Sequence, residues 1–131
     1  MKASLSGEPM KRIMQLATLV FLTSAICLAG ESTSGYLVDS NCYDVAHRNT
    51  KSTSTADRDM KLAIKHCAPN PKTESFGVVE KDWSLINLDP AGNGKAAELL
   101  KKTAKQSMYR VTVAGDVDQN VLKVDSISMT Q

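Results

Sequence analysis

Apolar and polar positions alternate near the end of the chain. In Tyr109-Arg110-Val111-Thr112-Val113-Ala114 every second side chain falls on one face, the period of a half-buried strand. Gly115 to Asn120 reads as a turn, and Val121-Leu122-Lys123-Val124-Asp125-Ser126-Ile127 returns, so the pair predicts a closing β-hairpin. Two earlier apolar runs, Ser75-Phe76-Gly77-Val78-Val79 and Trp83-Ser84-Leu85-Ile86-Asn87-Leu88, are joined by Glu80-Lys81-Asp82 and predict a second hairpin. Gly35-Tyr36-Leu37-Val38-Asp39-Ser40 predicts the first strand, ending where Asn41 and Cys42 open a polar stretch.

Two segments carry the helical period instead. Ala56, Met60, Ala63, Ile64 and Cys67 share one face, while Arg58, Lys61 and Lys65 point elsewhere. Ser54, three residues before Asp57, approximates a capping pattern, and Pro69 and Pro71 end the segment. Asp89-Pro90-Ala91-Gly92-Asn93-Gly94 reads as a turn. Lys95 to Lys105 is then rich in helix formers, with Ala96, Leu99, Leu100 and Thr103 on one side. The order is strand, helix, strand, strand, helix, strand, strand. It predicts a mainly β domain with two helices, a five-stranded OB-like Greek-key barrel in which residues 55–67 are an insertion after the first strand. The alternative is an α+β domain with an open antiparallel sheet, because strand patterns do not reveal closure.

The N-terminus has a different character. Lys2, Lys11 and Arg12 precede an apolar run from Ile13 to Leu28 that is broken only by Gln15, Thr18, Thr23 and Ser24. A spanning helix needs ~20 predominantly apolar residues; this run is shorter and has no basic flank after it. Residues 1–29 therefore read as a cleavable signal peptide, 30–34 as a linker and 35–131 as one domain, exported to the periplasm or secreted. Cys27 leaves with the signal, and Ile26 before it is not the small residue a lipid-attachment site wants. No stable membrane span is expected after cleavage.

Export changes the charge. The whole chain has a formal net charge of +2, but residues 1–29 hold three basic residues and one acid, leaving 13 of each sign in the remainder. A near-neutral domain whose densest basic stretch is Lys101-Lys102-Thr103-Ala104-Lys105 offers no footprint for nucleic acid. Cys42 and Cys67 remain, in a compartment that permits disulfides, and are most economically joined to each other. Closing a loop of about 25 residues contributes on the order of 3 kcal/mol by chain-entropy arguments.

Several of these stretches together resemble a known family. Gly35-Tyr36-Leu37-Val38-Asp39-Ser40-Asn41-Cys42, then His47, a cysteine-bearing helix, Phe76-Gly77-Val78-Val79, Val111-Thr112-Val113-Ala114-Gly115-Asp116 and Leu122-Lys123-Val124-Asp125-Ser126-Ile127 are similar to a family of small exported bacterial domains of unknown function. The most specific part is the Asp-Ser-x-Cys-x4-His pattern. The resemblance implies an OB-like β-barrel and an exported location, and no activity. The family's helix often has two cysteines four apart; here Ala63 and Cys67 occupy those places, which weakens the idea of a shared multi-cysteine metal site.

Candidate chemistry is sparse. Cys42, His47, His66 and Cys67 are the ligand types that suit zinc or copper. Their spacing is poor for it, since adjacent His66 and Cys67 on a helix diverge by about 100°; the disulfide is preferred, with both histidines facing solvent. A catalytic Cys42 activated by His47 lacks an orienting third residue, and Asp39 and Asp44 beside it oppose a thiolate. Asp57 and Asp59 suit a helix dipole better than hydrolysis. Asp116-Val117-Asp118-Gln119-Asn120 starts like a calcium loop, but Val121 and Ile127 stand where Gly and Glu are required. OB folds bind ligands across the second and third strands, which makes Phe76 and Trp83 candidates for lining a groove. The expectation is an exported, monomeric, non-enzymatic module without a cofactor, binding a ligand in the envelope or outside the cell. A metal or thiol-redox protein and a groove binder of a glycan or peptide are the alternatives.

Overall fold

Five strands and three helices follow one another in the computed structural model, which describes residues 31–50 and 55–130. The expected signal peptide over 1–29 lies outside the described residues. β1 (Ser32–Asp39) begins inside the expected linker. Ser32, Thr33 and Ser34 pair with Ala114, Val113 and Thr112 of β4 (Tyr109–Asp118), so the strand extends three residues before Gly35.

Asp39 turns the strand into a helix. Its carboxylate accepts from the N–H groups of Asn41 (3.1 Å) and Cys42 (3.2 Å) and so caps α1 (Ser40–Asn49). The polar composition hides this helix, since Ser40 and Tyr43 are its buried residues. α2 (Ala56–His66) keeps the predicted face: Met60, Ala63 and Ile64 are buried, and Cys67 at its C-cap is buried with them.

β2 (Phe76–Val79) and β3 (Leu85–Leu88) form the predicted antiparallel hairpin. α3 (Pro90–Lys101) begins where a turn was expected. Asp89 caps it, accepting from Gly92 N–H at 2.8 Å, and Pro90 fits the first turn because its missing N–H would have had no helical partner. Gly92 lets this helix lie close to β5 (Val121–Met129): a Cβ there would stand 2.5 Å from Val124 Cγ2. The expected wide turn before β5 shrinks to Gln119-Asn120, both at positive φ (51° and 62°) as a two-residue type I′ hairpin requires. β4 continues to Asp118, across an irregularity in register at Ala114/Gly115.

The strands close into a ring in the order β1-β2-β3-β5-β4, with β4 returning to β1. β3 runs parallel to β5 through Asn87↔Val121 and Leu88↔Leu122. The sheet is therefore mixed and closed, not open and antiparallel. With three helices the architecture is α+β, a correction to the mainly β, two-helix expectation that follows from the polar α1.

Two cores form because successive strand residues face opposite ways. Leu37, Phe76, Val78, Val111, Val113 and Leu122 point inward and meet Ala96 and Leu100 of α3. Val38 and Val79 point outward and are covered by Tyr43 of α1 together with Met60, Ile64 and Cys67. Leu37 and Val38 are both fully buried, which explains the unbroken apolar run in β1.

Candidate functional site

The Asp-Ser-x-Cys-x4-His segment is a joint between strand and helix. Asp39 caps α1, and the Ser40 hydroxyl hydrogen-bonds Ser75 Oγ at 2.5 Å. Cys42 is bonded to Cys67 across a Cα separation of 5.5 Å, tying α1 to the end of α2. His47 stacks on Tyr43 with ring centroids 5.7 Å apart. The proposed set Cys42, His47, His66 and Cys67 is not assembled as a metal site: both sulfurs are in the disulfide, and both histidines are exposed. Among the described residues, no group of three or more His, Cys, Asp or Glu is placed to hold a metal ion.

The disulfide also leaves Cys42 without a free thiol for His47 to activate. Asp44 pairs with Arg48 at 3.3 Å. Asp59 accepts from the Thr55 hydroxyl, while Asp57 accepts from the Trp83 indole, each at 3.0 Å. Among the described residues no helix is long and apolar enough to cross a membrane.

Phe76 and Trp83 do not share a groove. Phe76 is fully buried inside the ring, and Trp83 lies in the turn before β3. α1 contacts β1, β2 and β3, and the Tyr43 hydroxyl donates to the Trp83 carbonyl at 2.8 Å. α1 thus covers ground where an OB-type groove was expected.

Trp83 instead lines a cleft on the other side of the turn. Tyr36 is paired with Val79 on one neighbouring strand and with Arg110 on the other, so these three side chains form a row on the outer face. With Trp83 they border a space of about 260 Å³, joined by Lys61 from α2 and by Glu80 and Lys81 from the turn. A second hollow of about 380 Å³ shares Ser34, Glu80 and Lys81 with it and continues to Ser32, Thr33 and Asp82. The Ser34 hydroxyl is held by Thr112 Oγ1 at 3.2 Å.

The turn that presents Trp83 is tightly specified. Trp83 adopts φ 67°, a conformation rare for a bulky residue and costly by about 1–3 kcal/mol. Its N–H donates to the Glu80 carbonyl at 3.0 Å, its carbonyl accepts from Tyr43, and its indole N–H donates to Asp57. Asp82 accepts from Ser84 N–H at 3.1 Å and Ser84 Oγ at 2.6 Å. These bonds hold the Asp82 carboxyl below its ordinary pKa. Burial, reinforced by the negative charge of Asp82, pushes Tyr43 up to about 12, so the Tyr43 hydroxyl keeps its proton and its donor role.

The cleft offers two aromatic side chains, three cations and one carboxylate, without a histidine or cysteine. Such a lining suits binding by stacking and charge. Sequence reasoning picked out Trp83 and missed Tyr36, Lys61, Glu80, Lys81 and Arg110. The available signal was the outward phase of Tyr36 and Arg110 in their strands, which acquires meaning only with the β1–β4 register. Compared with protein-family models, with curated proteins and with solved structures, the chain matches none.

Proposed function

We propose that this protein is an exported, non-enzymatic binding domain of OB-like fold whose ligand sits in the Tyr36–Trp83 cleft. The observation that carries the proposal is Trp83 itself, a bulky aromatic kept at positive φ by three hydrogen bonds at the rim of a cationic cleft. Strain of this kind persists where the surroundings over-determine it, and it clusters at ligand clamps. The closed strand order and the helix between β3 and β4 support the OB-like reading. The Cys42–Cys67 bond supports an oxidising destination.

Trp83 is the one tryptophan in the chain, so intrinsic emission reports directly on the cleft. Titrating the purified protein with a panel of saccharides and short peptides is expected to give a saturable emission change with at least one class, lost in Tyr36→Ala. No emission change across the panel, or binding unaffected by Tyr36→Ala, would sink the assignment of the cleft. Turnover abolished by Cys42→Ser or His47→Ala would sink the non-enzymatic reading.

A further inference from the structure

We propose that the ligand of this cleft is an acidic glycan, seated with an anionic sugar toward Arg110 and Lys61 and an uncharged sugar toward Asp82. The inference rests on the cleft reading above and adds the ligand's chemistry and direction.

Charge is unevenly distributed along the groove. The space beside Tyr36 and Trp83 is lined by Lys61, Lys81 and Arg110 against Glu80 alone, a formal surplus of two positive charges. The adjoining hollow is lined by Lys81 against Glu80 and Asp82, a surplus of one negative charge. The ion pairs among the described residues lie elsewhere, at Arg48–Asp44, Lys101–Glu98 and Lys123–Asp118. The three groove cations are thus available to a ligand anion. In the adjoining hollow, Asp82 and the shared Glu80 outweigh Lys81; they repel an anion but accept hydrogen bonds from hydroxyl groups, the chief donors of an uncharged sugar. Ser32 and Ser34 add hydroxyls that can donate or accept.

Size and shape point the same way. A space of about 260 Å³ lies just below the ~300–1,000 Å³ usual for small-molecule clefts and suits a unit of about one sugar ring. Because the second hollow shares a wall of Ser34, Glu80 and Lys81 with the first, the ligand spans more than one unit. Tyr36 and Trp83 both line the first space, and aromatic side chains, which pair a flat apolar body with a polar edge, suit the apolar C–H face of a sugar. A quaternary amine would meet three cations. A nucleic acid strand has a phosphate on every unit and would bring one against Glu80 and Asp82.

Calorimetric titration at low ionic strength with three hexasaccharides tests the proposal. The first alternates uronate with uncharged N-acetylhexosamine, the second is all uronate, and the third is a neutral glucan; Trp83 emission is followed in parallel. The alternating chain is expected to bind about tenfold tighter than the neutral one and severalfold tighter than the all-uronate one. Arg110→Gln with Lys61→Gln should remove the preference over the neutral chain. Glu80→Gln should narrow the gap between the alternating and all-uronate chains. Equal binding of the neutral chain with an emission change would overturn the charge assignment and leave the cleft reading standing. All-uronate binding at least as tight as alternating would overturn the direction. Tighter binding of a single-stranded oligonucleotide of matched length would overturn the glycan class. Failure of all three chains overturns the acidic-glycan inference, while the cleft reading is decided separately by the wider saccharide and peptide panel.

Discussion

The inner core and the outer core of this protein are built on the same strands by different means. Inside the ring, Leu37, Phe76, Val78, Val111 and Val113 are fully buried and held by backbone ladders that close on themselves. Outside it, Val38 and Val79 are covered by two short helices, which a disulfide ties to each other and which Tyr43 and Asp57 tie to Trp83 by side-chain bonds. A closed ring of strands has no free edge, so its integrity is shared among many contacts. The helical layer is held instead by side chains packed on one outer patch of the ring and by the disulfide between its two helices, and the candidate cleft lies beside that layer. The comparison teaches that the candidate cleft draws on both: Tyr36, Val79 and Arg110 come from the ring, Glu80, Lys81 and Trp83 from the turn before β3, and Lys61 from the helical layer.

The largest expected effect comes from the inner core. Phe76→Ala should cost about 3–5 kcal/mol and lower the whole unfolding transition, measured by circular dichroism in urea. Cys42→Ser should cost about 3 kcal/mol while leaving a folded ring. Its distinguishing signature is a change in Trp83 emission at denaturant concentrations where strand signal persists; loss of both signals together would erase the distinction between the cores.

Gly92→Ala should follow at about 1–3 kcal/mol, because the added methyl would push α3 away from Val124. This variant touches only the inner core, so ligand-induced Trp83 emission should be unchanged in native buffer. Tyr43→Phe should cost about 1 kcal/mol by removing the donor to the Trp83 carbonyl, and it should loosen the cleft more than the fold. A pH titration sharpens the same point. The Tyr43 pKa is raised to about 12 from 10.0, so its neutral form is the one the fold favours. The contribution is complete below about 10 and is lost as pH rises toward 12. Wild-type stability should therefore decline over that window, and the decline should be shallower in Tyr43→Phe. The smallest effect belongs to Asp57→Asn, which keeps an acceptor for the indole but removes its charge. It should change stability by less than about 1 kcal/mol and alter Trp83 emission.

Legibility in the sequence follows the range of the interaction. β2 and β3 were readable because two apolar runs flank a charged turn, and the buried face of α2 because its period is local. The pairing of Cys42 with Cys67 was readable from their number and the expected compartment. α1 was hidden, because a helix that buries little more than Tyr43 has almost no apolar stripe. The start of α3 was hidden as well, because Pro90, Gly92 and Gly94 imitate a turn until Asp89 caps the helix and Val124 takes the place a side chain at Gly92 would need. In the cleft, Trp83 drew notice because, with Phe76, it falls on the predicted second and third strands, where OB folds bind ligands. Tyr36 and Arg110 did not, although they are neighbours across a strand pair.

By itself the sequence determined part of the local order of this protein: the alternation in β4 and β5, the β2–β3 hairpin, the buried face of α2, and Cys42 and Cys67 as a natural pair. These follow from periods and residue chemistry that act over a few positions. Only the tertiary structure decided that the sheet closes with β3 parallel to β5, that the inserted helices cover the outer face of β1 to β3, and that Tyr36, Lys61, Trp83 and Arg110 border one cleft. The reason is physical. Pairing between distant strands sets one residue opposite another through backbone registers that no local pattern encodes, and a shift of one residue would turn Tyr36 inward and remove it from the cleft wall.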